Sequence, residues 1–315
     1  MNAMPVCYVT EPGSTVRRSD GVLVVTHKPD HRTHTARHEK SQTTLKLEPH
    51  RVEMIALVGR SHVTSEALRL CLEQGITVSW LTGTGRLLGR IVPPTASGGD
   101  LRVRQYAAWH EAQARFLRAK RVVRAKMANA AAVLREIQSN YPRSAPLAEG
   151  LAELRKAARA ATEAKASEQL LGIEGHGARA YFQALRSAFR ADIEFHGRHH
   201  HPPPDPANAL LSFGYVLLCN RLAGLIDARG LDPTIGFFHE LRPGRLSLAL
   251  DLLEELRAPI VDRFVLRLCN LRILKPDDFE PDSQRPGGVR MKQHALKTFF
   301  REWERFWLRP LRERN

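Results

Sequence analysis

The stretch Pro-Pro-Thr-Ala-Ser-Gly-Gly at residues 93–99 decides the predicted fold, because it combines residue types that interrupt both helices and strands. One amphipathic helix precedes it, beginning at Thr64 or Ser65 and ending at Gly75. Short β-rich runs surround that helix at 21–26, 52–59, 76–81 and 86–92. Helix-forming segments follow at 101–141, 147–189, 206–229, 247–256, 259–273 and 291–308. The sequence therefore predicts an α+β chain, with a small β-rich domain over residues 1–98 and a larger, all-helical domain over 99–315.

The chain is strongly basic, with a formal net charge of +15 at pH 7. The first 100 residues hold 12 Lys and Arg against 9 Asp and Glu, so the other 215 residues carry +12 of this excess. A field of this sign attracts polyanions, above all the phosphate backbones of nucleic acids. The alternative is a generally basic surface with no such partner. The charge therefore favours a nucleic-acid partner that binds mainly through the second domain.

Two helical segments mix basic and aromatic residues. Residues 101–126 hold eight basic residues and a single acid, interleaved with Tyr106, Trp109 and Phe116. Cations together with stacking rings suit a nucleic-acid backbone, although a solvated helix with rings facing the core explains the pattern equally well. Residues 291–308 carry six apolar residues, five of them aromatic, at helical spacing among basic ones, a pattern that is more typical of core or interface packing.

Other compositional features argue against several protein classes. The four cysteines stand far apart, which disfavours a zinc finger and a disulfide framework. Histidines cluster at 31–38 and 196–201 but fit no known ligand frame, so both clusters are predicted to be exposed loops. The sequence shows neither a signal-peptide pattern nor an apolar run near the roughly 18 residues that span a bilayer. A cytoplasmic protein without membrane contact is expected.

A helical segment at residues 170–182 places Glu174 among three glycines, Gly172, Gly175 and Gly177. Each glycine inside a helix costs up to about 1 kcal/mol relative to alanine. Three around one carboxylate therefore suggest the close approach of another helix, a backbone or a ligand. A surface glutamate on a weakened helix is the alternative.

Two further candidates lie close together in the sequence. His239 ends an apolar run just before a turn, and Ser247 is placed to cap the helix that follows. On that helix Asp251 and Glu254 are three residues apart and share a face. Taken alone, His239 is more often a core or surface histidine than a ligand, and acids after a cap are usually solvated. Spacing by itself does not join these residues to Glu174.

Four ordered motifs join them. Residues 170–175 read Leu-Leu-Gly-Ile-Glu-Gly, 208–215 read Asn-Ala-Leu-Leu-Ser-Phe-Gly-Tyr, 236–239 read Gly-Phe-Phe-His and 247–254 read Ser-Leu-Ala-Leu-Asp-Leu-Leu-Glu. In this order, and over the whole chain, they resemble the integrase of the CRISPR adaptation machinery, the first of the CRISPR-associated proteins. One departure is His176, where the family commonly has Asn.

The resemblance implies a site and a set of partners. Glu174, His239 and Glu254 would be metal ligands, with Asp251 as an auxiliary acid of the catalytic site. It also implies an N-terminal β-sandwich that dimerises and a helical catalytic domain. The expected partners are double-stranded and branched DNA, a second copy of the chain, and the second CRISPR-associated adaptation protein in a larger complex.

Two carboxylates and one imidazole suit Mg²⁺ or Mn²⁺ better than Zn²⁺. The expected reaction is attack of a DNA 3′-hydroxyl on a phosphodiester, with cleavage where water replaces that hydroxyl. Two alternatives remain: a basic, non-catalytic DNA-binding or architectural protein, and a structure-specific metallonuclease without an integrase role. Candidate DNA contacts are Arg102, Arg104, Lys126, Tyr215 and Arg245.

Overall fold

The computed structural model describes residues 6–27, 43–94, 98–190, 192–199, 202–283 and 285–307. Within these ranges the chain forms two compact units. The first contains residues up to 94 together with 296–307, and the second contains residues 98–295. The first histidine cluster lies outside the described residues, as do the last two histidines of the second cluster. The observed units thus differ from the predicted division near residue 98 in one respect: residues 296–307 belong with the β-rich unit.

The described residues of the first unit form two four-stranded sheets, a helix between strands and most of the last helix of the chain. Its elements are β1 Val6–Val9, β2 Thr15–Ser19, β3 Val22–His27, β4 Thr43–Leu47, β5 Met54–Val58, β6 His62–Val63, α1 Ser65–Glu73, β7 Thr77–Leu81 and β8 Leu87–Ile91. One sheet has the order β1-β5-β7-β8 and the other β4-β3-β2-β6. In the first sheet β1, β5 and β7 are parallel and β8 is antiparallel to β7.

Local chemistry explains how these elements begin and turn. Asp20 and Gly21 connect β2 to β3 with positive φ angles of 50° and 77°, as a tight two-residue hairpin requires. The Thr64 hydroxyl caps α1 by accepting the N–H of Ala67, which confirms the predicted helix start. Side chains from both sheets and from α1 share one hydrophobic cluster. Face-to-face packing of the sheets as a sandwich stays a prediction.

The last helix, Gln293–Trp307, packs its apolar stripe in the first unit from residue 296 onward. Leu296, Phe299 and Trp303 are buried, and the Phe300 ring stacks on Tyr8 of β1 with ring centroids 4.1 Å apart. The prediction that this segment belongs to the helical domain is therefore corrected. The reason is long-range: an aromatic stripe indicates that a helix packs, but not against which element.

The second unit is mostly helical. Its helices are α2 Gly99–His110, α3 Ala112–Asn140, α4 Ala145–Glu163, α5 Ser167–Arg186, α6 Pro206–Ala228, α7 Ser247–Leu256 and α8 Arg263–Asn270, which makes the helix at the end of the chain α9. A hairpin of β9 Phe279–Pro281 and β10 Val289–Met291 also lies in this unit, so the predicted all-helical domain is corrected. Its strands of three residues are too short to give an alternating pattern.

A π-helical turn at Arg257–Asp262 joins α7 to α8, so the two helices predicted around Pro259 form one continuous rod. Pro259 has no N–H and its ring crowds the preceding turn, which disfavours an unbroken α-helix. A π-turn carries more residues per turn and is a known way to accommodate such a position.

The helix α6 is the core helix of the second unit. It is apolar around its whole circumference, and most of its residues are buried. By length and composition it is the one helix among the described residues that could cross a membrane, yet 67% of its apolar window is buried inside the protein. Burial among neighbouring helices accounts for this composition without a bilayer.

Candidate functional site

Asp251 organises the loop that carries His239. This buried carboxylate on α7 accepts the backbone N–H groups of Phe237, Phe238 and His239 at 2.5, 3.0 and 3.0 Å. It also accepts a hydrogen bond from His239 Nδ1 at 2.8 Å. Because a carboxylate oxygen accepts hydrogen bonds, Nδ1 is the donor of this pair, and Nε2 is directed towards Glu254. Asp251 therefore holds the ring and the backbone of His239 in place, and its role as an auxiliary acid stays a prediction.

Close backbone packing holds the same loop against the start of α7. A Cβ atom at Gly236 would lie 2.5 Å from the Ser247 carbonyl carbon, so only glycine fits there. The Ser247 hydroxyl donates to the Glu240 carbonyl at 3.0 Å. Ser247 is the first helical residue and Leu246 precedes it as the N-cap, so the predicted capping role of Ser247 is corrected. Its hydroxyl ties the loop to the helix instead.

Glu254 lies one turn after Asp251 and is 5% exposed. Its Oε1 is 3.0 Å from the Arg257 guanidinium and 3.8 Å from His239 Nε2, and its Oε2 is 2.5 Å from Lys126 Nζ. Burial acts to raise the pKa of this carboxyl, but Arg257 and Lys126 outweigh burial and hold the pKa below its usual value. Glu254 is therefore anionic at neutral pH although it is buried.

Glu174 comes from another helix, α5, and pairs with the same Lys126 ammonium as Glu254. Lys126 thus lies between two carboxylates whose residues are 80 positions apart in the sequence. Together with the contact between His239 and Glu254, this brings the three predicted ligand residues to one place. The side chain of Glu174 remains 22% exposed, so this edge of the site is open.

The three glycines around Glu174 do not share one role. A Cβ atom at Gly177 would meet the Met127 sulfur at 2.3 Å and Ala157 Cβ at 3.4 Å, so α5 approaches α3 and α4 closely there. At Gly172 and Gly175 an added Cβ would meet no described atom within 4 Å. The prediction of a close approach therefore fits Gly177. His176 points elsewhere, with its Nε2 at 2.9 Å from Glu153 on α4.

The chemistry of the donor set fits a divalent cation. Two carboxylates already converge on one positive charge, and an imidazole nitrogen faces the more buried of them. Within the described residues, however, no group of three or more His, Cys, Asp and Glu side chains has metal-holding geometry. The Lys126 ammonium stands between the carboxylates, so a metal ion would have to displace it.

A polar network that sequence reasoning missed borders this site. Asp262, in the π-turn, accepts the hydroxyls of Tyr215 at 2.5 Å and Tyr181 at 2.8 Å. Burial raises the pKa of Asp262 to about 6, although both hydroxyls and two nearby arginines act to lower it. The Arg257 guanidinium lies 4.8 Å from the centre of the Tyr215 ring. No local pattern indicated Asp262, whereas Arg257 follows Glu254 by three residues, the spacing of an intrahelical ion pair.

The predicted DNA contacts occupy different environments. Tyr215 is 5% exposed with its hydroxyl bound to Asp262, so a direct DNA contact there does not fit the structure. Lys126 faces the two carboxylates. Arg104 is exposed on α2, while Arg102 and Arg245 are half-buried, and DNA binding by these three stays a prediction.

An open groove of about 690 Å³ lies beside His239. Its lining includes Trp109, Phe116 and Phe238, and the Arg115 guanidinium lies 5.0 Å from the Trp109 ring centre. Cations next to aromatic rings are suited to nucleic-acid backbones and bases. The interleaved basic and aromatic residues of the sequence thus partly line a cavity at the candidate site.

Comparisons with known proteins show which family the chain resembles. The family model described as "CRISPR associated protein Cas1" matches residues 7–305. The chain is 36% identical over 253 residues to the CRISPR-associated endonuclease Cas1 3 of Thermus thermophilus, covering 80% of this chain and 73% of that protein. It is 37% identical over 268 residues to Cas1 2 of Rhodospirillum rubrum, covering 81% and 76%. The solved structure of a casposase bound to its integration product superposes with a TM-score of 0.80 at 26% identity, covering 96% of this chain and 82% of the casposase.

Proposed function

The chain belongs to the Cas1 family of CRISPR adaptation proteins, and from this premise we propose that it is a divalent-metal-dependent DNA endonuclease and integrase. The proposed metal ligands are Glu174, His239 and Glu254, and the proposed ion is Mg²⁺ or Mn²⁺. The observation that carries the proposal is the convergence of Glu174 and Glu254 on one positive charge beside His239 Nε2.

The proposed reaction is in-line attack of a DNA 3′-hydroxyl on a phosphodiester: a new P–O bond forms, the P–O3′ bond of the attacked strand breaks, and its 3′-oxygen leaves as a hydroxyl after taking up a proton in exchange for the one that the attacking hydroxyl gives up. Attack by water at the same place is cleavage. When bound, the cation supplies Lewis-acid polarisation of that phosphodiester. The protein's own contribution is to hold charges in place before DNA arrives. Arg257 and Lys126 keep Glu254 ionised, and Asp251 fixes the ring of His239 with Nε2 towards Glu254.

DNA in double-stranded and branched form is the proposed substrate, which the net charge of +15 supports. The casposase neighbour, described as bound to an integration product, supports strand transfer as well as cleavage. We further propose that two copies of the chain form a homodimer. This homodimer joins the second CRISPR-associated adaptation protein in a larger complex. The β-sandwich arrangement of the first unit belongs to the same proposal.

The test compares wild type with Glu174→Gln and His239→Ala on branched and supercoiled DNA in Mg²⁺ or Mn²⁺. Both variants are expected to lose at least about 100-fold in rate, because each removes a ligand. Glu255→Gln is the matched control, since it alters a half-buried acid on α7, directly after Glu254. Metal-independent DNA binding with no processing would favour the architectural alternative, and unchanged processing by both variants would refute the proposed ligands.

A second experiment separates integration from cleavage alone. Wild-type protein, the second adaptation protein and a plasmid bearing a repeat are incubated with a donor DNA that has free 3′-hydroxyls. Joined donor and plasmid are the expected product. Cleavage without any joined product, under every metal condition, would leave a structure-specific metallonuclease.

A further inference from the structure

Asp262 is a carboxylate that the protein buries next to its candidate site without bringing it into the ligand set. It is 1% exposed, and Tyr181 and Tyr215, which donate to its two oxygens, are 4% and 5% exposed. Removing a carboxylate from water costs several kcal/mol, and hydrogen bonds with nearby charges only offset that cost. Apolar side chains at all three positions would avoid that cost. The network is therefore better explained by what it positions than by stability.

The network connects the two helices that carry Glu174 and Glu254. Tyr181 follows Glu174 on α5 by seven residues, which places both on the same face about two turns apart. Asp262 follows Glu254 at the end of the π-turn, and its bond to Tyr181 therefore spans the gap between α5 and the rod formed by α7 and α8. This bond and the Lys126 ammonium of α3, which pairs with both Glu174 and Glu254, therefore link α5 to the rod at two places.

A second path leads from the network to Glu254 through Arg257. The Arg257 guanidinium pairs with Glu254 Oε1 at 3.0 Å and lies against the ring of Tyr215, whose hydroxyl is held by Asp262. A small cavity of about 30 Å³ is lined by Lys126, Glu254, Arg257 and Asp262, so the network and the ligands border the same space. Tyr215 comes from α6, which fixes the ring from a third helix.

We propose that Asp262, Tyr181 and Tyr215 form a positioning unit that sets the spacing of the Glu174 and Glu254 carboxylates for metal binding. This inference rests on the proposed function, because it gives these three residues a role at the same metal site. In this proposal none of the three is a ligand of the cation. They act through the distance between α5 and α7 and through the placement of Arg257.

The direct measurement is the binding of Mn²⁺ alone, without DNA. Binding is detected as a decrease in the electron paramagnetic resonance signal of the free ion. Tyr181→Phe and Tyr215→Phe each remove one hydroxyl and keep the ring, so the fold is preserved. Each variant is expected to weaken Mn²⁺ binding by about 10- to 100-fold, the usual consequence of losing a residue that orients a ligand. Asp262→Asn is expected to weaken it at least as much.

Tyr106→Phe is the matched control, since it removes another Tyr–Asp hydrogen bond, 3.1 Å to Asp232, on α2. Its Mn²⁺ affinity is expected to equal that of wild type. Tyr181→Phe in a Glu174→Gln background is expected to cause little further loss, because residues that act through a shared partner are not additive. If the role of Tyr181 were purely structural, Tyr181→Phe would lower the melting temperature, and its effect on Mn²⁺ affinity would be the same with and without Glu174→Gln.

The results separate the two proposals. If Tyr181→Phe and Tyr215→Phe bind Mn²⁺ as tightly as wild type while Glu174→Gln does not, the positioning unit is refuted and the proposed function stands. If wild type fails to bind Mn²⁺, or Glu174→Gln binds it as tightly as wild type, the proposed ligand set is refuted and the positioning unit falls with it.

Discussion

The two sides of the candidate site are built in different ways. On the α7 side, Asp251 holds three backbone N–H groups and the imidazole of His239, and Glu254 is almost fully buried. On the α5 side, the side chain of Glu174 is 22% exposed and forms an ion pair with Lys126. Several local hydrogen bonds hold the α7 side in place. The α5 side is joined to it through the Lys126 ammonium, which pairs with Glu174 and with Glu254.

This difference separates the residues that build the site from those that complete it. Buried carboxylates that satisfy several donors are costly to remove, whereas a partly exposed ion pair contributes little to stability. Substitutions on the α7 side should therefore alter both folding and chemistry. Substitutions on the α5 side should alter chemistry with little effect on folding.

The largest effect is expected for Asp251→Ala. It leaves three N–H groups and an imidazole without their acceptor, so the free energy of unfolding should fall by about 3–5 kcal/mol. Glu174→Ala should lower it by only about 1 kcal/mol, since a partly exposed ion pair is lost. Urea denaturation in the presence of EDTA measures both values. Equal losses would show that the two sides are built alike.

Gly236→Ala should have the next largest effect. Its new Cβ would meet the Ser247 backbone, which has little freedom to move, so a loss of about 2–3 kcal/mol in unfolding free energy is expected. Gly172→Ala, on α5, has open space and should raise the unfolding free energy by up to about 1 kcal/mol. The same denaturation experiment serves for both, and a stable Gly236→Ala would show that the loop tolerates displacement.

Lys126→Met tests the charge that links the two sides. Without metal, the variant leaves two carboxylates facing each other, and the unfolding free energy should fall by about 1–2 kcal/mol. Adding MnCl₂ should raise the melting temperature more in Lys126→Met than in wild type, because the cation no longer competes with the ammonium. Lys120→Met is the control, since that lysine on α3 donates to the Ala164 carbonyl. An equal gain in both proteins would place Lys126 outside the metal position.

The smallest effect is a pH dependence that originates at Asp262. Its pKa in the folded protein, about 6, is above the usual value of 3.8, so proton binding favours the folded state. The stability that this group contributes is therefore complete at low pH and is lost as pH rises through about 6. Between pH 7 and pH 5, wild type should gain about 1 kcal/mol relative to Asp262→Asn. Parallel stability curves for the two proteins would contradict the raised pKa.

Features that depend on neighbouring residues in the sequence could be predicted well. The cap at Thr64 and the change from strands to helices near residue 98 both follow from local residue types. The interpretation of α9 failed for the opposite reason. Its aromatic stripe correctly predicted packing, but its partner lies almost 300 residues earlier, at Tyr8.

The candidate site shows the same limit. Glu174, His239 and Glu254 were separate candidates until the ordered motifs joined them, because no spacing rule connects α5 with α7. Lys126 was predicted to contact phosphate since its helix is basic, and only the folded chain shows that its ammonium faces two carboxylates. Asp262 was missed because an acid directly followed by Arg263 looks in the sequence like a solvated charged pair.

The apolar circumference of α6 has a consequence for biosynthesis. Synthesis proceeds from the N-terminus, so α6 leaves the ribosome before α7 and α8, the helices that pack on it in the finished unit. At about 5–20 residues per second, the 42 residues from the end of α6 to the end of α8 take several seconds to appear. During that interval the nascent chain presents a long hydrophobic helix to its surroundings.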